Sequence, residues 1–463
     1  SAQGTWYDSD KVRFRKGFAE KIGGWIKFVL ATFSGTARYL HDWVTDSGSK
    51  YVGLGTNLKL YVSLGNNYYD ITPIRSTLTL GTNKITAVDE TSVVTIDTTA
   101  EHGAVVGDYV TLAGATATAG IGTGSLNTEH RIVALGDPDN ANPTTKFRVV
   151  CDAQATSSAS GGGASVTAAF QINSGLDTYV SAAGWGSDPW GSSTWGSGAG
   201  LGQSNQLRLW SIVNFGDDMI CNVRQGNIYY WDESVGTADR AVPLSDITRR
   251  SVTLGANPIV TASGSTVITI TDKGGHGAGV GDTVTLAGSA AVGGIAAARI
   301  NVAVTVASTP TKATWTTDLG GANASSTATG GGTGASAVYT AGVYYTPTAS
   351  TQVMMSDVAR HVIAIGCNPI GSATINPLFV RWSSSEKAGE WQPLSTNSAG
   401  GQELAACSEI IGSLTTRQET LIWTDCGIVS MRYVGSPFYF SFTEASKGMS
   451  MISPNAAVNA DGI

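Results

Sequence analysis

Apolar and polar residues alternate in short runs along this chain, and Gly or Asn breaks the alternation at close intervals. A period of two predicts strands, and such breaks predict tight turns. Four pairs of runs read as hairpins: residues 51–57 with 58–62, 219–223 with 227–232, 361–366 with 378–383, and 419–425 with 428–433. Three of these close on Trp231, Trp382 or Tyr433. Repeated hairpins that end in an aromatic are the pattern of propeller blades, where the ring fills the wedge between neighbours. A set of plain β-sandwiches is the competing architecture.

Between the hairpins the sequence repeats itself. Thr79-Leu80-Gly81-Thr82-Asn83 matches Thr253-Leu254-Gly255-Ala256-Asn257 at an offset of 174. The same offset aligns His102-Gly103-Ala104-Val105-Val106-Gly107-Asp108 with His276-Gly277-Ala278-Gly279-Val280-Gly281-Asp282. Each copy reads as a small β-domain with a Gly-rich patch near its end. The expected fold class is therefore all-β, a propeller-like body of repeated hairpins with two homologous inserted small β-domains. The expected boundaries are 1–75 for the first propeller segment, 76–172 for insert A and 173–249 for the second segment. Insert B then takes 250–345 and the third segment 346–463. The propeller is expected to be incomplete or closed by the N-terminal strands.

Composition narrows the function. Of 463 residues, 58 are Gly, 42% are hydrophobic and only 14% are charged. Few charges on ample apolar surface suit a protein that buries its exterior against neighbours. The net charge of −7 is not the footprint of a protein that grips nucleic acid, although an acidic wall lets DNA slide past. Five scattered Cys lack CxxC spacing, so neither a disulfide framework nor a zinc site is expected, and assembly in a reducing cytoplasm fits. No run approaches the ~20 apolar residues of a membrane span. Ser1–Trp6 has no signal-peptide layout and the last residues end without an evident stop, so the chain is expected to be the ordered or processed part of a longer protein.

Candidate chemistry is sparse. His102 with Asp108, and His276 with Asp282, read either as a metal or acid–base pair or as turn chemistry; turn chemistry is preferred, because no further ligand recurs in both copies. Glu386, Glu390 and Asp425 offer a glycosidase pair in principle, but single acids among apolar strands more often cap backbone groups. No P-loop, nucleophile elbow or HExxH is present. No catalytic, cofactor-binding or metal-binding residue is assigned, and no enzymatic activity is expected. Trp185, Trp190 and Trp195 recur every five residues, each followed by Gly, and read as a loop presenting three indoles to a subunit or a glycan. The basic run Lys11, Arg13, Arg15, Lys16, Lys21 reads as a charged edge strand, with Asp10 and Glu20 supplying intersubunit ion pairs.

Residues 10–25 resemble a segment of tail proteins of short-tailed phages, Asp-x-Val-Arg-Phe-Arg-x-Gly-x-x-Glu-Lys-x-Gly-Gly-Trp. The resemblance continues in order through Gly35-Thr36-Ala37-Arg38-Tyr39-Leu40-His41-Asp42-Trp43, Asp70-Ile71-Thr72-Pro73, the His-Gly inserts, the Trp-Gly loop, Arg381-Trp382-Ser383 and Leu421-Ile422-Trp423-Thr424-Asp425. It implies a tail tube or nozzle subunit of the virion, assembled in the host cytoplasm. Its implied partners are copies of itself in a hexamer, tail adaptor and tail fibre proteins, and genomic DNA passing through the lumen without sequence-specific binding. The inserts look like small β-domains of phage tail proteins that have been compared with a domain of the ubiquitin-activating enzyme. Arg13, Arg15, Trp25, Trp185, Trp190 and Trp195 are the candidate subunit or partner contacts. The alternatives are a carbohydrate-binding, lectin-like propeller and a polysaccharide-degrading tailspike.

Overall fold

The computed structural model describes residues 10–24, 27, 30–177, 207–321, 323–405, 407–416 and 419–458. Almost every element is an antiparallel strand; each insert contains a single one-turn helix, Thr123–Leu126 in A and Ala297–Ile300 in B, at the same place in the repeat.

Four four-stranded meanders make the body. The first blade is Ala37–Val44, Lys50–Thr56, Leu60–Leu64 and Asn67–Asp70. The second is Trp210–Phe215, Asp218–Val223, Ile228–Trp231 and Val242–Pro243. Ser350–Met355, Val362–Cys367, Phe379–Trp382 and Gly400–Glu403 form the third. Ile410–Thr415, Thr420–Thr424, Gly427–Gly435 and Tyr439–Lys447 form the fourth. Each expected hairpin supplies the middle strands of a blade. Val362–Cys367 is buried throughout because the third blade is covered on both sides, whereas burial alternates along Thr420–Thr424 of the fourth.

The opening strands of successive blades lie beside one another, so the body is propeller-like. Aromatic residues fill the first wedge: Trp43 stacks on Tyr51 at 5.4 Å and Trp231 meets Tyr51 edge-on at 5.6 Å. The third wedge holds Trp382 against Phe440 at 5.1 Å. Burying each such ring contributes on the order of 2–3 kcal/mol. Backbone polar groups at these joints are served by side chains: Trp210 Nε1 donates to the Thr56 carbonyl at 2.7 Å, and Asn222 Nδ2 to that of Ser350 at 3.0 Å.

The described residues form an open arc. On the first strand, Trp43 faces the second blade, while Leu40 and Val44 on the opposite face remain 64% and 60% exposed. The N-terminal strands Val12–Arg15 and Phe18–Lys21 do not close the arc; they pair only with each other, as a separate two-stranded sheet.

The inserts share one topology. In A, eight strands from Ile74–Thr79 to Thr167–Gln171 curl into a single sheet. Glu129–Leu135 serves both halves of it by changing partner across a bulge between Ile132 and Ala134. In B the corresponding strand is broken into Ala303–Thr305 and Ser308–Thr311, which leaves sheets of four and five strands. Burial alternates along strands such as Val93–Asp97 and Val267–Thr271, so every second side chain enters the insert's own core. The first and last strands of each insert pair with each other, Ile74–Thr79 with Thr167–Gln171 and Thr248–Thr253 with Ser336–Thr340. Chain entry and exit are bridged by backbone hydrogen bonds, Ile172 N to Pro73 O at 3.0 Å in A, and Ala341 N to Ile247 O at 2.9 Å and Gly342 N to Ser245 O at 2.8 Å in B.

Candidate functional site

The N-terminal hairpin turns on Lys16-Gly17, both at positive φ. This sets Arg13 opposite Glu20, and Arg13 Nε lies 2.5 Å from the Glu20 carboxylate. The ion pair expected between subunits is therefore made within the hairpin for Arg13, and an exposed pair of this kind is worth only about 0–1 kcal/mol. Arg15 is exposed on the same strand, and Phe18 is 78% exposed beside it. Trp25, Trp185, Trp190 and Trp195 lie outside the described residues.

The two His-Gly loops have one geometry. His102 Nδ1 accepts the Ala104 N–H at 3.0 Å, and its Nε2 faces the Lys146 carbonyl at 3.3 Å. His276 does the same with Ala278 N–H and the Thr311 carbonyl, at 3.0 and 2.9 Å. Both rings therefore have an acceptor Nδ1 and a donor Nε2, the neutral tautomer. Burial holds the His102 imidazole below its ordinary pKa, outweighing the pull of the Lys146 carbonyl. Asp108 accepts the N–H groups of Val105 at 2.9 Å and Ser174 at 2.6 Å; Asp282 accepts those of Gly279 at 2.7 Å and Tyr344 at 3.1 Å. Gly103 and Gly107, like Gly277 and Gly281, sit at positive φ. In both copies these residues close a turn and tie it to the chain leaving the insert.

Insert A is fastened to the body by buried charge. Lys59, 5% exposed, lies 2.8 Å from Asp70, contacts Glu129 of the insert, and sits 4.4 Å from the centre of the Tyr109 ring. Arg240 reaches Asp70 at 3.2 Å and Glu129 at 3.6 Å. Burial alone would raise the Asp70 carboxyl, but Lys59 and Arg240 outweigh it and hold the group below the usual carboxylate range. Asp70 also accepts from Thr72 N at 3.0 Å, which gives the Asp-Ile-Thr-Pro segment its physical role at the hinge of the insert. Sequence reasoning passed over Lys59; its signal was a lone cation between Leu58 and Leu60 in an otherwise apolar run.

The cysteines require a correction. Cys407 and Cys426 form a disulfide, with Cα atoms 5.5 Å apart. Antiparallel pairing of Ile410–Thr415 with Thr420–Thr424 folds the chain back and brings the two together although they stand 19 positions apart. Asp425 stands next to the disulfide, but both sulfurs are bonded to each other and its carboxylate accepts the Ser408 N–H at 2.9 Å. Cys151, Cys221 and Cys367 are buried and free. Of the acids weighed for hydrolysis, Glu390 is held by Lys387 at 2.8 Å and Asn397 at 2.9 Å. Arg381 is 1% exposed; it donates to the carbonyls of Asn368 and Tyr345, and burial pushes its pKa down to about 10. Among the described residues no helix is long and apolar enough to cross a membrane.

No family model matches this chain, and neither does any curated protein. Among solved structures it is similar to "Phage phi92 endosialidase", at 10% identity and a TM-score of 0.20 over 91% of this chain. The chain spans 59% of that protein's length. Similarity at that level carries no argument about activity.

Proposed function

We propose that this chain is a structural subunit of a bacteriophage tail, one of several copies that close into a ring and conduct DNA. The observation that carries the reading is the open arc: a stiff body whose first blade turns Leu40 and Val44 outward. Apolar side chains on a sheet face that the other described residues leave uncovered are what a neighbouring copy buries, and copies joined head to tail close a ring when the rotation permits. The order of motifs from the Asp10 segment to Leu421-Ile422-Trp423 adds support through its resemblance to tail tube and nozzle proteins, which also suggests six copies. Low charge and net acidity suit a wall along which DNA passes without sticking.

The test is mass photometry and electron microscopy of the purified chain, followed by localisation in virions. Closed rings that dissociate in a Leu40→Glu/Val44→Glu variant with unchanged circular dichroism are the expected result. A chain that stays monomeric at high concentration and lies outside the tail in virion maps overturns the proposal. Turnover of a host polysaccharide by the purified chain would establish the hydrolase alternative instead.

A further inference from the structure

A cavity of about 470 Å³ opens between insert A and the second blade. Three arginines line it: Arg75 from the stem of the insert, Arg208 before the second blade, and Arg224 from the turn between that blade's second and third strands. Among the described residues none of the three has a carboxylate within ion-pair distance. Arg75 donates to the His102 carbonyl at 2.7 Å, Arg208 to that of Asn173, and Arg224 to that of Ile411 at 2.9 Å. Arg75 Nε and Arg208 Nη1 are buried and meet no acceptor. Asp108 faces Arg75 and Arg208, but its oxygens already serve Val105, Ser174 and Asn173; the exposed Glu409 faces Arg224. Three half-buried cations on one wall, in a chain of net charge −7, are costly unless an anion joins them. Gly175 is part of the construction: a β-carbon there would collide with the Arg208 side chain.

The repeat supplies an internal control. Arg249 of insert B holds the place of Arg75 and donates to the His276 carbonyl at 2.8 Å. Acids face it from two elements, Asp282 in its own insert and Glu390 in the third blade. The place of Val105 is taken by Gly279, and the Tyr344 ring packs directly over it. Arg249 Nε is buried without an acceptor, as Arg75 Nε is; copy B differs in being filled by the Tyr344 ring and in having Glu390 as a second acid, where copy A is open.

We propose that this cavity binds a small organic oxyanion, a phosphate or carboxylate carried on a body of about monosaccharide size, gripped by Arg75, Arg208 and Arg224. Guanidinium groups pair with the planar or tetrahedral oxygens of either group. The volume exceeds what a bare anion fills and lies in the range of small-molecule sites. Val105, Ile172 and Val223 give the body an apolar wall, and Asn227 and Tyr229 give it polar partners.

The test titrates the full chain at low ionic strength with inorganic phosphate, glucose 6-phosphate, glucuronate and glucose, read by thermal shift and calorimetry. A saturable rise in Tm with glucose 6-phosphate, glucuronate or both, tighter than with phosphate and absent with glucose, is expected; which of the two binds identifies the oxyanion. Arg75→Gln and Arg208→Gln should each weaken binding at least tenfold, while Arg249→Gln in copy B leaves it unchanged. Val105→Trp, at the exposed rim, should block binding without removing a charge. The proposal is overturned if no anion binds saturably, if the Arg75 and Arg208 variants bind like the parent, or if Arg249→Gln loses as much as they do. Equal affinity for bare phosphate and the sugar anions would overturn the organic body.

Discussion

At the scale of single residues, the chain spends its few polar side chains on closing turns and fastening pieces. His102 is held neutral, with Nδ1 accepting the Ala104 N–H. Removing it in His102→Ala leaves that N–H without its acceptor and should cost about 1–3 kcal/mol, read by chemical denaturation at pH 7.5. The sign of the pH effect follows from a folded pKa below 6.5. Below that pH the unfolded chain takes up the proton first, so the parent should lose stability as pH falls from 6.5 to the folded value. The Ala variant should lack this part of the slope. Lys59 makes the complementary case. Lys59→Met leaves Arg240 as the remaining cation beside Asp70 and Glu129 in a partly dry site and should cost about 2–3 kcal/mol at pH 7. Because the Asp70 pKa is lowered on folding, its stabilising effect is complete above about 3.8, the ordinary value, and disappears as pH falls through the folded one. The gap between parent and variant should therefore narrow in acid; a constant gap down to pH 2.5 would contradict the ion-pair account. Part of this scale was legible: no further ligand recurs beside His, Gly and Asp in the two repeats, which favoured turn chemistry, and the hydrogen bonds show the same turn twice. Arg208 was not, because nothing local in Leu207-Arg208-Leu209 distinguishes a cavity-lining arginine from a solvated one.

At the scale of elements, the joints between blades depend on the absence of side chains as much as on their presence. A β-carbon on Gly55 would stand 2.5 Å from Trp210 Cγ. Gly55→Ala should push the indole off the Thr56 carbonyl and cost about 1–3 kcal/mol, with a shift in tryptophan fluorescence as the local readout. In the fourth blade, Cys407→Ser/Cys426→Ser should cost about 2–4 kcal/mol, and a reductant should have the same effect on the parent and none on the variant. The middle strands of all four blades could be read from alternation and turn residues. The outer strands could not: Gly400–Glu403 is Gly-Gly-Gln-Glu, with no apolar pattern, and becomes a strand only because Phe379–Trp382 offers it an edge. The disulfide escaped for a related reason, since its spacing matches no motif and depends on a hairpin placing both ends together.

At the scale of the whole molecule, each insert is a unit with its own core, closed by pairing of its first and last strands. Residues 248–342 expressed alone should therefore give a dispersed amide spectrum and a cooperative melt. A collapsed spectrum would mean that the body, through Arg249 and its neighbours, is needed to hold insert B in shape. The repeat was readable from the offset of 174, whereas the sequence left an incomplete body and one closed by the N-terminal strands both open: strand pairs reveal how many blades exist but not whether the last meets the first.

The hydrogen bonds bridging Pro73 with Ile172 and Ile247 with Ala341 also bear on how the chain finds its native state. Once an insert has collapsed, the segments flanking it meet as if joined by a tight reverse turn. The entropy of bringing distant stretches together is then spent inside the insert, among its own contacts. Each blade can nucleate on the one before it as the polypeptide emerges, and a body interrupted twice can assemble with the locality of an uninterrupted one.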